Sequence, residues 1–138
     1  MNKFLFYLSA RLFGEACLEL YIHRFTPDGK EQVYLIPRPD NDPFYPSMMH
    51  MPGVRKLPTE TDEQHLIRAM TEVDFDIQGL YYKYATSTTV KAKRGTEFAD
   101  IRSVRVPYDE NQTGFYDVDN LPDNLIEHQR VFIDMVKK

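Results

Sequence analysis

The sequence predicts an α/β fold, and three local patterns predict it. An alternating strand–turn–strand hairpin comes early, a capped amphipathic helix follows near the middle, and a second amphipathic helix closes the chain. The chain has 138 residues, 42% of them hydrophobic and 28% charged. That composition supports a packed core, and that length suits a single domain over residues 1–138.

Each element has a local reason. Lys3–Leu8 is a short aromatic strand, placed where it could meet a second copy in a homodimer. Ala16–Phe25 alternates, with Cys17, Glu19, Tyr21 and His23 on one face and Leu18, Leu20, Ile22 and Arg24 on the other. Thr26-Pro27-Asp28-Gly29 is a turn, because Pro presets φ and Gly accepts a positive φ. Gln32–Ile36 returns as the second strand. Residues 37–58 then hold six of the nine prolines, which cannot donate to a helix or sheet ladder, so a long stiff loop follows. Loops of that length inside a compact domain are usually functional. Thr61-Asp62-Glu63-Gln64 is a capping box opening a helix over Thr61–Asp74, with an apolar stripe of Leu66, Ile67, Met70 and Val73. Two strands follow near Gly79–Thr86 and Phe98–Val106. A terminal helix over Pro122–Lys137 starts with Pro at a favoured first-turn position and carries Leu125, Gln129, Phe132 and Val136.

Composition excludes several functions. No apolar run approaches the ~18 residues of a membrane span, and the apolar start lacks a small-residue cleavage site, so neither a membrane protein nor a signal peptide is expected. The lone Cys17 makes no internal disulfide and sits in no nucleophile motif, which fits a cytoplasmic protein. A net charge of −4 argues against general nucleic-acid binding. The charges are uneven, however. Lys83, Lys91, Lys93, Arg94, Arg102 and Arg105 face only Glu97 and Asp100 in that stretch, while the following segment is acidic. The basic stretch could meet a small anionic ligand, although an ordinary solvated strand pair is the more usual reason for such a stretch. Met48-Met49-His50-Met51 suits core filling better than a soft metal site, and His23 and His128 read as packing residues.

From Gly53 onward the chain resembles the Nudix hydrolase family, whose box reads G-x5-E-x7-R-E-U-x-E-E-x-G-U, with U a bulky aliphatic residue. Gly53, Glu60, Arg68, Met70 and Glu72 match, and the Glu60-to-Arg68 spacing is kept. Tyr34–Arg38 looks like the strand before the box, and Phe115–Pro122 like the family's closing segment. The departures are a first spacer of six residues, Ala69 and Val73 in two glutamate positions, and Phe75 for the second glycine.

The resemblance implies a Nudix-type α/β/α sandwich, a mixed β-sheet between helices. It also implies metal-assisted hydrolysis of a nucleoside diphosphate linked to another moiety. Clustered carboxylates would hold Mg²⁺ or Mn²⁺, which neutralises phosphate charge and activates water. The expected metal ligands are Glu72 and Glu97. Glu60 and Arg68 support the loop–helix turn, and Arg38, Arg55, Lys91 and Arg94 contact phosphate. With only Glu72 kept from the three helical glutamates, activity would be weak or altered. The alternative is a catalytically inactive Nudix-fold domain that binds a nucleotide or a protein partner. In that case Ala69 and Val73 extend the apolar stripe, and His65, Arg68 and Glu72 form a solvated face.

Overall fold

The computed structural model describes residues 4–5, 15–55, 57–75 and 81–138. Its central strand β1 (Glu15–Phe25) lies in a six-stranded sheet, with β7 (Gly95–Arg105) parallel on one side. On the other side β1 is paired antiparallel twice, with β2 (Glu31–Tyr34) near its end and with β5 (Gly53–Arg55) near its start. β6 (Tyr81–Ala92) and β8 (Phe115–Asp117) form the two edges, giving the order β6-β7-β1-β2-β8. Two short strands, β3 (Ile36–Pro37) and β4 (Met49–His50), pair separately inside the proline-rich loop.

Helices cover the two faces. Residues 17–24 of β1 are buried without interruption, because each face of the strand has its own core. Leu18, Leu20 and Ile22 pack with Leu66, Ala69 and Met70 of helix α1 (Asp62–Thr71). Tyr21, Val33, Leu35, Met51 and Ile101 pack with Phe132 and Ile133 of helix α2 (Glu127–Val136). This is the expected mixed sheet between helices. Each fully buried side chain of this kind stabilises by roughly 1.5–3 kcal/mol. No described helix is long and apolar enough to cross a membrane.

Arg24, Tyr21 and His23 on the buried strand are engaged. Arg24 donates to the Asp109 and Gln112 carbonyls and lies over Phe115, with its carbon 3.9 Å from the ring centre. Tyr21 donates to Glu31, which also holds His23 and the Lys138 backbone N–H. His23 is therefore a buried, partnered core residue, as expected.

Several boundaries differ from expectation. The terminal helix starts at Glu127, not Pro122, because residues 122–125 form a turn and Leu125 then bridges to Met49 of β4. Met49 N–H donates to Asn124, and Ile126 N–H donates back to Met49. The β6–β7 hairpin runs on to Ala92, because threonines at 86, 88 and 89 suit a strand and the turn falls at Lys93-Arg94. Ile67 is 41% exposed, while His65, at 5%, points inward and donates Nε2–H to the Val54 carbonyl at 2.9 Å. The buried face of α1 is thus 65, 66, 69 and 70. Of the expected Lys3–Leu8 strand only Phe4 and Leu5 are described, in a helical turn; the rest lies outside the described residues, as does the start of the strand expected from Gly79.

Candidate functional site

The proline-rich loop, the hairpin turn and the start of α2 meet over the start of β1. They enclose a cleft of about 240 Å³ lined by Glu19, Arg38, Tyr45, His50, Arg55, Arg94, His128 and Gln129, among others. Asp42 fixes the loop: it accepts Phe44 and Tyr45 N–H groups at 2.9 and 2.8 Å and takes Arg38 Nε at 2.7 Å. Tyr45 Oη accepts the Lys93 N–H at 2.8 Å, which ties the loop to the β6–β7 turn. Three of the four expected phosphate contacts, Arg38, Arg55 and Arg94, share this cleft. Lys91 lies instead on a neighbouring groove of about 590 Å³ that shares Tyr45, Ile126 and His128 with it.

Two carboxylates lie beneath these cations. Glu97 is 1% exposed, not an open strand carboxylate, and is held by Arg94 Nε, with His128 Nε2 3.7 Å from its other oxygen. Glu19 is 5% exposed and hydrogen-bonded to Gln129, whose Oε1 also accepts the Met51 N–H at 3.0 Å. Burial first, and then the charge of Glu97, push the Glu19 carboxyl up to about 8. Burial, reinforced by Arg38, lowers His50 to about 4, so its imidazole is neutral at pH 7. His128 is also lowered, chiefly by burial, and its ring packs against Tyr45 and Phe132. His128 is therefore a packing residue that also lines the cleft.

Of the residues matching the box, Gly53 lines the cleft, while Glu60, Arg68 and Glu72 sit to one side. Arg68 points back to the loop and donates to Glu60 and, at 2.7 Å, to the Arg55 carbonyl. The Arg68 hydrogen bond, followed by the Leu57 N–H, draws Glu60 down to about 2. Glu72 is on the open side of α1, its side chain 54% exposed and 3.4 Å from Arg68 Nη1. Ala69 is 2% exposed among Leu18, Leu20 and Met70, and Val73 packs on the same cluster. The structure thus joins Glu60, Arg68 and Glu72 in one network, and joins Glu97 with Arg94 in another.

Gly53 lies where these two networks approach. It pairs with Glu19 across the β1–β5 ladder, and a Cβ there would come within 2.8 Å of Glu19 Oε2 and 2.9 Å of the Leu18 carbonyl. Sequence reasoning missed Glu19, His50, Tyr45 and Gln129 as site residues. For Gln129 a signal existed, a polar residue on the otherwise apolar stripe of Leu125, Phe132 and Val136; Glu19 shares its strand face with Cys17, Tyr21 and His23.

This arrangement of layers, loop and box helix is the Nudix fold. No protein-family model and no curated protein matches the chain, but solved structures do. A mutT/nudix family protein from Listeria innocua superimposes with a TM-score of 0.72 at 11% identity, over 88% of this chain and 90% of that one. NrtR of Shewanella oneidensis gives 0.71 at 14% identity over 88% of this chain, which spans only 61% of the NrtR chain. The NUDIX domain of the same NrtR, complexed with ADP ribose, gives 0.61 at 14% identity over 98% and 96%. At such identities the fold is what is shared.

Proposed function

We propose that this chain is a Nudix-fold binding domain that takes a nucleoside diphosphate derivative in the Gly53 cleft without helix-borne metal catalysis. The observation that carries this reading is the gathering of three guanidinium groups in one cleft, of which Arg38 is shared with Asp42 and Arg94 with Glu97. Arg38, Arg55 and Arg94 line one cavity, and guanidinium groups suit phosphate oxygens through paired hydrogen bonds. The ADP ribose held by a similar NUDIX domain supports the ligand class. Glu60 and Arg68 act as the clamp that holds the loop on α1, and Lys91 borders the groove beyond the cleft.

The fold family's divalent cation does not fit the donors present. Mg²⁺ and Mn²⁺ take several hard oxygen ligands. On α1 the positions that would supply them are Ala69 and Val73, both packed against the core, and Glu72 is engaged with Arg68. Glu97 is paired with Arg94 through one oxygen, and the His128 ring nitrogen stands 3.7 Å from the other. Among the described residues no group of three His, Cys, Asp or Glu is arranged to hold a metal. Hydrolysis, the competing reading, would have to bring Glu72 and Glu97 to one ion across these existing pairs.

Calorimetry with ADP-ribose on the wild type and on Arg38→Ala tests the reading. Binding that weakens about tenfold or more in the variant, and weakens with salt in the wild type, is expected. The absence of heat in the wild type would contradict it and would favour a protein partner.

A further inference from the structure

Residues 39–47 form a closed excursion of the proline-rich loop. Its base is fixed where the Arg38 N–H donates to the Met48 carbonyl at 2.8 Å and where β3 pairs with β4. Inside it stands Asp42, its side chain 5% exposed. One oxygen, Oδ1, accepts the Phe44 and Tyr45 N–H groups at 2.9 and 2.8 Å. The other, Oδ2, accepts from Arg38 Nε at 2.7 Å and from Arg38 Nη2. Burial works to raise the Asp42 carboxyl, but the Tyr45 and Phe44 N–H groups and Arg38 outweigh it and hold it below its usual value. Arg38 lines the cleft, whereas Asp42 lies outside the cleft lining.

We propose that Asp42 is a positioning residue, which holds one edge of the Arg38 guanidinium so that the other edge meets an anionic ligand already oriented. This rests on the binding reading above and adds the loop residue that makes Arg38 ready to bind. A guanidinium can grip an oxoanion by either of two edges, Nε with one Nη or the two Nη together. Asp42 takes the first and leaves the second. An arginine also carries much rotamer freedom, and a side chain that the ligand must order weakens binding. Asp42 removes that cost beforehand, because two backbone N–H groups fix its own carboxylate. The opposite role, a carboxylate that competes with the ligand for Arg38, would place Asp42 on the open edge or in the cleft. It is in neither place.

Asp42 also shapes the loop, since Tyr45 accepts the Lys93 N–H at 2.8 Å. Asp42→Asn separates the two roles. Asn keeps an oxygen for the Phe44 and Tyr45 N–H groups but turns an amide group, not an oxygen, toward Arg38. Calorimetry with ADP-ribose on the wild type, Asp42→Asn, Arg38→Ala and the double variant forms a double-mutant cycle, with melting temperatures taken alongside. Removing a negative charge would by itself tighten anion binding. Positioning predicts the reverse, an affinity about three- to tenfold weaker in Asp42→Asn. That loss should vanish in the Arg38→Ala background, where no guanidinium is left to orient.

Unchanged or tighter binding in folded Asp42→Asn would overturn the inference and leave the binding reading standing. An equal loss in the Arg38→Ala background would also overturn it and assign the effect to loop shape. NMR of the wild type covers a variant that does not fold or binds too weakly to measure. The Arg38 Nε–H, assigned by its absence in Arg38→Ala, should exchange slowly in the free protein and stay hydrogen-bonded when ADP-ribose binds. An Nε–H that exchanges freely, or is released on binding, would overturn the inference. If ADP-ribose does not bind the wild type, the binding reading fails and this inference falls with it.

Discussion

At Glu19, burial and the charge of Glu97 push the carboxyl from 4.5 up to about 8. The native state then keeps a proton that the unfolded chain gives up, so stability falls as pH rises from 4.5 toward 8. Glu19→Gln cannot titrate and escapes that loss. Its melting temperature should lie near the wild-type value at pH 5 and above it at pH 9; an equal difference at both pH values would contradict the burial argument. Glu60 has the opposite sign. Arg68 draws it down to about 2, so its contribution is present above 4.5 and is lost as pH falls toward 2. Arg68→Met should therefore lower the melting temperature at pH 7 and change it little at pH 2. A similar drop at both would mean that Arg68 acts through packing alone.

At the scale of elements, α1 is a packing helix on the side where the family pattern places carboxylates. Restoring the pattern by Ala69→Glu would force an acid among Leu18, Leu20, Leu66 and Met70. Burying an unpaired carboxyl costs about 3 kcal/mol or more, so the variant should melt far below the wild type and gain no Mg²⁺ affinity. A folded variant with new, tight Mg²⁺ binding would show that position 69 faces the cleft. The β1–β5 ladder gives a second case. Gly53→Ala would press a methyl group against the Leu18 carbonyl, which the ladder fixes, and against Glu19, and should cost about 1–3 kcal/mol. Thermal melts decide it, and an unchanged Gly53→Ala midpoint would mean that β5 shifts freely on β1.

Across the whole molecule, what was legible in the sequence was what local chemistry dictates. The Thr26–Gly29 turn, the Thr61–Gln64 capping box and the Glu60–Arg68 spacing all appear in the structure as read. The boundaries of α2 and β6 were not legible. The first depends on pairing with Met49, far away in sequence, and the second on threonines that carry no apolar period. The candidate site was half legible. Arginines near a proline-rich loop can be read from sequence as phosphate contacts. That Glu19 stands under them depends on β1 lying at the centre of the sheet with a core on each face, which alternation along one strand cannot reveal.

The central claim is binding in an arginine-lined cleft without helix-borne metal catalysis. Its most direct test incubates the protein with ADP-ribose, with and without Mg²⁺, while calorimetry reads the affinity and chromatography reads the products. The expected result is an affinity that excess Mg²⁺ does not raise and a ligand recovered intact. Mg²⁺-dependent release of AMP and ribose 5-phosphate, abolished by Glu97→Gln or Glu72→Gln, would contradict the account and restore the hydrolase reading.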